Sequence, residues 1–435
     1  MLDFKFWSME WGGRTLTVEV GHFALQATAS CTVKYGDTVV LATVVMAPST
    51  REVDYFPLMV SFEEKLYAAG KIKGSRFMKR EGRPSDESVL SGRLIDRALR
   101  PLFDERIRSD IQVVITPLSV DQENDSTIVG LLAASFVLSI SNIPWNGPIA
   151  GARVGRVGTE FVLNATIGQI GEGDLDLIVA GRPDTLVMAE AGAKEVSEED
   201  VYKAMRWAAD QFQPVLDFAA SIQKELGVQK KSVESIIEEG GANPDQGKVQ
   251  EEIKNHVSSL ADSIIFDKER HTRKDRYEMF DAVKEQCKTH LLEKGFEEEL
   301  VDKQLKDIKL IIGVEISKRI LEKEQRLDGR SLDDIRPLKA EINILPRVHG
   351  TGMFMRGDTQ VLSLVTLGAP GDVQTLDSME EDGTKRYMHH YNDAPYTYGE
   401  VAPIRGPGRR AIGHGALAER ALEPVLPPEE DFPYA

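Results

Sequence analysis

Two stretches of the chain repeat one another's alternation of apolar and polar positions. GDTVVLATVV, from Gly36 to Val45, and GDTQVLSLVT, from Gly357 to Thr366, each open on a Gly-Asp pair and run into Val, Leu and Thr, an offset of 321 residues. A Gly-Asp pair is a turn signal and a β-branched run a strand signal, so each block predicts a buried strand leaving a tight turn. A second pair, GRLIDRALRP (Gly92 to Pro101) and GALAERALEP (Gly415 to Pro424), follows in the same order at an offset of 323 and reads as a helix. Ser85 stands where it can cap the first of these helices, Asp86 and Glu87 occupy the first turn that the helix dipole favours for acids, and Pro101 closes it. Two collinear matches at nearly one spacing predict a duplicated domain.

The rest of copy one continues the alternation of elements. IQVVITPL reads as a strand, DSTIVGLLAASFVLSIS as a small-residue helix, ARVGRV, FVLNAT and LDLIVAG as strands, and the stretch from Glu198 to Leu226 as a helix. Strand, hairpin-like Tyr/Phe segment and helix together indicate an α+β or α/β unit. Residues 248–294 hold no Gly or Pro, are dense in Glu, Lys, Asp and Arg, and place apolar residues three and four apart. They predict a solvated helical spacer that holds two domains apart. RLDGRSLDDIRPL then opens copy two, giving the division 1–235, 236–322 and 323–435. Copies of equal extent would carry the second to roughly residue 550. The chain stops at Ala435, so it is expected to be a fragment or a truncated gene product.

Composition narrows the class. With 41% hydrophobic residues the chain can bury large cores; no long uncharged apolar run and no signal peptide stand out, which makes the cytoplasm the default and a membrane role unexpected. Cys31 and Cys287 lie far apart and in no metal-type spacing, so both read as packed thiols. The net charge of −17 argues against a nucleic-acid partner, yet residues 71–100 carry nine Lys/Arg against four acids. A basic patch on an acidic body restores that possibility.

The candidate chemistry lies on that patch and its counterpart. SRFMKREGRPS, from Ser75 to Ser85, sets Phe77 among Lys79, Arg80 and Arg83 on a loop punctuated by Gly and Pro. Stacking on Phe77 and phosphate contacts from the three cations would suit single-stranded nucleic acid; a solvated basic loop with Phe77 tucked into a core fits the residues as well. Arg93 and Arg97 follow at helical spacing and either hold phosphates or pair with neighbouring acids. In copy two, RGPGRR leads into a helix beginning near Ile412, and Arg409 and Arg410 at its N-terminus would hold an oxyanion such as phosphate; a basic interdomain turn is the other reading. At the repeat offset these two arginines fall opposite Asp86 and Glu87, so only copy two keeps an anion site. His414 is either a phosphate or acid/base group or a structural histidine. His389 and His390 sit on a probable strand facing opposite ways, which speaks against a shared metal. Asp174 and Asp176 would share a strand face and could bind Mg²⁺, or form a polar strand edge. P-loop, Rossmann, HExxH and GxSxG patterns do not stand out.

Taken together, GDTVVLATVV, FPLMVSFEEKLYAAGKI, RFMKREGRPSD, GRLIDRALRPLF, IPWNGPIAGARVG, RLDGR, RGDTQVLSLVTLG, HHYNDAPYTYGE and RGPGRRAIGHGALAERAL resemble the N-terminal part of polynucleotide phosphorylases along nearly the whole chain. The resemblance implies an α+β fold of two ribonuclease PH-like domains, of the ribosomal protein S5 domain 2-like class, with an all-helical domain between them and the second copy incomplete. It implies KH and oligonucleotide-binding barrel modules further on and a homotrimeric ring. It also implies degradation of single-stranded RNA from its 3′ end by inorganic phosphate with Mg²⁺, in mRNA turnover and with a larger RNA-degradation assembly as a partner. Nucleoside diphosphates are released, and the reaction can run in reverse. Phe77, Lys79, Arg80, Arg83, Arg93 and Arg97 are then expected RNA contacts, with Met78 standing where relatives often have a second Phe. Arg409 and Arg410 are expected to orient phosphate, with His414 in support. Asp176 matches one family metal ligand, but Ile178 and Ile170 stand where the catalytic Lys and the other Asp would be, so copy one resembles the non-catalytic domain and the Mg²⁺ ligands are expected beyond residue 435. A non-catalytic RNA-binding or ring-assembly subunit is the rival reading, and a hydrolytic relative is disfavoured by the two arginines.

Overall fold

The computed structural model describes residues 4–51, 53, 55–72, 79–80, 82–239, 245–380 and 382–435. It resolves into two compact units, Met1–Ile237 with Gly368–Ala435, and Glu238–Leu367.

The first unit is built on β1 (Lys5–Trp11), β2 (Arg14–Val20), β3 (Ala29–Tyr35), β4 (Thr38–Thr50), β5 (Leu58–Phe62), α1 (Asp86–Leu99), β6 (Ser109–Ser119) and α2 (Ser126–Ile140). Six strands form one sheet in the order β1-β2-β3-β4-β6-β5, antiparallel except where β5 lies parallel to β6. The Tyr/Phe segment expected as a hairpin is therefore a crossover: β5 leaves the sheet, α1 packs back over it, and β6 returns beside it. The Gly-Asp turn between β3 and β4 forms as expected, with Gly36 at φ +62°. Its geometry is fixed from outside, since Asp121 accepts from the Asp37 amide and the Thr38 hydroxyl, each at 3.0 Å. Burial alone would raise Asp121, but amide bonds from Asn124, Glu123 and Asp37 outweigh it and hold the carboxyl down at about 2.

A helix apolar on all sides must be covered on all sides. α2 is, with all but Thr127 buried; it packs on β3 and β4 of the first sheet and on β7 (Ala150–Val157) of a second. β8 (Glu160–Leu163), α3 (Ile167–Glu172), β9 (Leu175–Gly181) and β10 (Leu186–Ala193) complete that second layer, a four-stranded sheet in the order β10-β9-β7-β8. The strand read through FVLNAT stops at Leu163, where Asn164 takes φ +49°. The helix expected from Glu198 to Leu226 is two, α4 (Glu198–Asp210) and α5 (Gln213–Leu226), because Pro214 removes an amide donor that an uninterrupted helix would use and is tolerated only in a first turn. α6 (Val233–Glu239) follows.

The second unit holds α7 (Gln246–Ser259), α8 (Arg273–Glu293), α9 (Glu298–Gln304) and α10 (Ile308–Lys323). The expected spacer has a core of its own: Val249, Ile253 and Val257 meet Met279, Val283, Cys287 and Leu291 across the two long helices, with Ile308 and Ile312 closing the cluster. The three- and four-residue spacing thus marks an apolar stripe that a bundle buries. The charge-rich run is also interrupted, since Thr272 and Asp275 form a reciprocal capping box that starts α8 afresh. β11 (Leu338–Ile342), β12 (Gly350–Arg356) and β13 (Thr359–Val365) form an antiparallel sheet, and Gly357 at φ +63° repeats the turn of Gly36.

The remainder of the first unit comprises β14 (Gln374–Asp377), β15 (Asp382–Lys385) and α11 (Arg409–Leu422). The internal repeat extends further than the sequence blocks: a short 3-10 turn ending on left-handed Gly70 (φ +69°) precedes α1, and one ending on Gly399 (φ +67°) precedes α11. His389 and His390 lie in irregular chain, not on a strand; the His389 amide donates to Glu419 of α11 at 2.9 Å and has no ladder partner. Among the described residues no helix is long and apolar enough to cross a membrane.

Candidate anion and nucleic-acid site

α1 and α11 pack directly against each other, and glycines allow it. A Cβ on Gly92 would stand 2.8 Å from the Arg409 guanidinium, and one on Gly413 would stand 2.3 Å from Arg93 Nε. Each helix therefore receives an arginine from the other over a bare patch of backbone. Arg409 continues past Gly92 to donate to the Val60 carbonyl at 2.6 Å.

The two helix starts differ as the repeat offset foretold. α1 is capped by Ser85, whose hydroxyl accepts from the Ser88 amide, and begins with Asp86 and Glu87. α11 begins with Arg409 and Arg410, three residues before the expected start near Ile412, and its cap residue Gly408 offers no side-chain acceptor. Its first amides thus retain their donor capacity, with two guanidiniums in the same turn. Burial, then the neighbouring Arg409 and Arg97, push Arg93 below the usual arginine range, with Arg410 adding to them and Asp96 opposing. Among the described residues Arg93 makes no ion pair with a carboxylate. Four guanidiniums from two helices thus share one field, Arg97 paired with Glu190 and Arg93 without a carboxylate partner among the described residues, an arrangement that suits an oxyanion.

The surrounding groups are held in place. Arg410 lies 5.5 Å from the centroid of the Tyr398 ring, and the Tyr398 hydroxyl donates to Asp393 at 2.8 Å. His414 stacks on Tyr391 at 5.1 Å between ring centroids. Arg97 is tied to Glu190 at 2.7 Å, and the other oxygen of Glu190 takes Arg420 of α11 at 2.8 Å. Sequence reasoning passed over Glu190 and Arg420, because their partners are 93 and 230 residues away. Lys79, Arg80 and Arg83 are exposed on the chain leading into α1, while Phe77 and Met78 lie outside the described residues.

The copy-one carboxylates considered for metal binding are engaged otherwise. Arg153 grips both oxygens of Asp176 at 2.7 and 2.9 Å and reaches Asp125 at 3.0 Å, while Arg156 pairs with Asp174 and Asp200. Among the described residues no three His, Cys, Asp or Glu side chains gather as a metal site. Cys31 and Cys287 are buried free thiols, Cys31 raised strongly and Cys287 pushed up to about 12 by burial.

This internally repeated α+β architecture is that of the 3′ exoribonucleases. The chain belongs to that family: residues 12–144 and 334–435 match the model of the 3′ exoribonuclease family, domain 1, and residues 147–211 match domain 2. Within it, the chain is similar to polyribonucleotide nucleotidyltransferases. It is 44% identical to that of Bacillus velezensis over 431 residues, 43% to that of Bacillus subtilis and 44% to that of Halalkalibacterium halodurans, in each case over 98% of this chain. It spans 59% of the length of each of these relatives.

Proposed function

We propose that this chain supplies the RNA grip and the phosphate-orienting half of a 3′-to-5′ phosphorolytic exoribonuclease, a polyribonucleotide nucleotidyltransferase. The observation that carries the reading is the convergence of Arg93, Arg97, Arg409 and Arg410 at the contact of α1 and α11. Arg409 and Arg410, with the first amides of α11, hold inorganic phosphate, each charge-assisted hydrogen bond contributing about 1.5–3 kcal/mol. Phe77, Lys79, Arg80 and Arg83 hold the unpaired strand, and Arg93 and Arg97 lie between the two groups in sequence. A phosphate oxygen attacks the phosphorus of the terminal phosphodiester. The bond to the 3′ oxygen of the preceding nucleotide breaks, that oxygen takes up a proton, and a nucleoside 5′-diphosphate leaves. The arginines contribute by position and by opposing the charge that gathers on the phosphoryl oxygens. His414, stacked on Tyr391, supports the turn of helix that follows the arginines.

Magnesium, which the resemblance implies, does not fit the described carboxylates, since Asp174 and Asp176 are saturated by guanidiniums. The same reading extends to assembly as a homotrimeric ring and to a cytoplasmic role in mRNA degradation.

The test is to titrate the chain with oligoadenylate and, separately, with inorganic phosphate, following RNA binding and phosphate binding, alongside the Arg409→Ala/Arg410→Ala variant. The expected result is RNA binding in both proteins and phosphate binding in the parent alone. Phosphate binding that survives the double substitution would refute the assignment, and RNA binding without any phosphate binding in the parent would favour a non-catalytic RNA-binding subunit.

A further inference from the structure

We infer that Glu190 of β10 is a positioning residue for the phosphate site: it holds one arginine of α1 and one of α11, and so fixes the angle at which the two helices cross. The inference rests on the proposed phosphate role of Arg409 and Arg410.

The strand makes Glu190 a firm support. β10 lies in the ladder with β9, where Glu190 pairs with Ile178 and Gly192 with Asp176, so residues 190 and 192 point to one face of the sheet. Arg97 Nη1 donates to one oxygen of Glu190 at 2.7 Å, and Arg420 Nη1 donates to the other at 2.8 Å. Arg97 also reaches the Ala189 carbonyl at 3.4 Å. Gly192 makes room for the second arm, since a Cβ there would stand 3.3 Å from Arg420 Cδ. Ion pairs between exposed side chains contribute little, but the Glu190 side chain is only 14% exposed and both of its oxygens are engaged.

Position along the helices gives the pair its leverage. The near contact of α1 with α11 lies where Arg409 passes Gly92 to reach the Val60 carbonyl and where Arg93 lies over Gly413. Arg97 is about one turn beyond Arg93, and Arg420 about two turns beyond Gly413. A helix pinned at one level can still swing about that level. A second pin further along fixes the crossing angle, and with it the direction in which Arg410 and the first amides of α11 point. A binding constellation tolerates only about 0.5 Å of misplacement, so a small swing is enough to spoil it.

The charge of Glu190 works the other way. A carboxylate beside guanidiniums lowers their positive field, so by Coulomb attraction alone its removal would favour an anion. Positioning and field therefore predict opposite signs, and a purely structural role would move phosphate affinity in neither direction.

Inorganic phosphate is titrated by calorimetry into the 435-residue chain, Glu190→Ala, Arg420→Met, the double variant of these two, and Arg409→Ala/Arg410→Ala as control, with thermal unfolding to show that each is folded. The expected result is phosphate affinity about tenfold lower in Glu190→Ala and in Arg420→Met, and no lower in their double variant than in either alone, because the two residues act as one unit. Tighter phosphate binding in Glu190→Ala would assign the residue to the field and overturn the inference. Unchanged affinity in either single variant, or losses that add in the double, would overturn it as well. If Glu190→Ala does not fold, Arg420→Met carries the test alone. A parent that binds no phosphate, or a control that binds it as tightly as the parent, would instead refute the phosphate-site reading.

Discussion

Arg93 of α1 and Gly413 of α11 stand so close that a Cβ on the glycine would lie 2.3 Å from Arg93 Nε. Alanine favours a helix interior over glycine by about 1 kcal/mol, so Gly413→Ala strengthens α11 while pushing Arg93 out of the cluster. The variant should unfold no earlier than the parent and bind inorganic phosphate about tenfold more weakly, the equivalent of one charge-assisted hydrogen bond. Calorimetric phosphate titration beside thermal unfolding checks both halves.

The two repeat turns make a controlled pair. Gly36 and Gly357 share their left-handed φ, but a Cβ on Gly36 would stand 2.4 Å from Asn124 Nδ2 and 2.9 Å from an Asp121 oxygen, whereas one on Gly357 would meet flexible Arg336 at 3.2 Å. Gly36→Ala should cost more stability than Gly357→Ala, which should lose only the roughly 1 kcal/mol that a left-handed alanine imposes. Urea unfolding of the two variants orders them, and equal losses would show that Asn124 yields freely.

Glu380 should make stability fall as pH rises. Burial, with the nearby Asp125 carboxylate, lifts its carboxyl to about 7 from an ordinary 4.5, against the pull of Ser126 and Arg153. The folded chain therefore keeps a proton that the unfolded chain has released, so this contribution is complete below about pH 4.5 and lost as pH rises through about 7. Glu380→Gln, uncharged throughout, should flatten the profile between these limits. An equally sloping profile in the variant would assign the slope to other groups.

Salt dependence reports the phosphate contacts of the basic loop. If Arg80 and Arg83 each neutralise one phosphate of a single strand, Arg80→Ala/Arg83→Ala should reduce the slope of log affinity against log salt by about 1.4. Fluorescence anisotropy of labelled oligoadenylate across a salt series measures it. A parallel line at lower affinity would mean that the two arginines shape the loop without touching the strand.

Phe136 lies wholly buried on α2 between the two sheets. Phe136→Ala should cost about 3–5 kcal/mol, since both layers are held by their own strand ladders and cannot collapse into the space. Urea denaturation gives the value, and a loss under about 1 kcal/mol would show a core that repacks.

Local patterns were legible in the sequence. GDTVVLATVV and GDTQVLSLVT specify a left-handed glycine followed by a strand, Ser85 with Asp86 and Glu87 specifies a capped helix start, and the repeat offset alone set Arg409 and Arg410 opposite two acids. Each depends on residues within a turn or two of one another, where backbone sterics and capping act. The interruption by Pro214 and the fresh start at Thr272 were equally local, but were overridden in the reading by apolar spacing that ran across them. What only the tertiary structure decided was which groups meet. That Glu190 joins Arg97 to Arg420, that Asp176 is consumed by Arg153, and that Glu64 ties Ser85 to Met379 depend on groups brought together from 21 to 315 positions apart. Charge and hydrogen bonding at such sites are set by distance in space, which short-range periodicity does not encode.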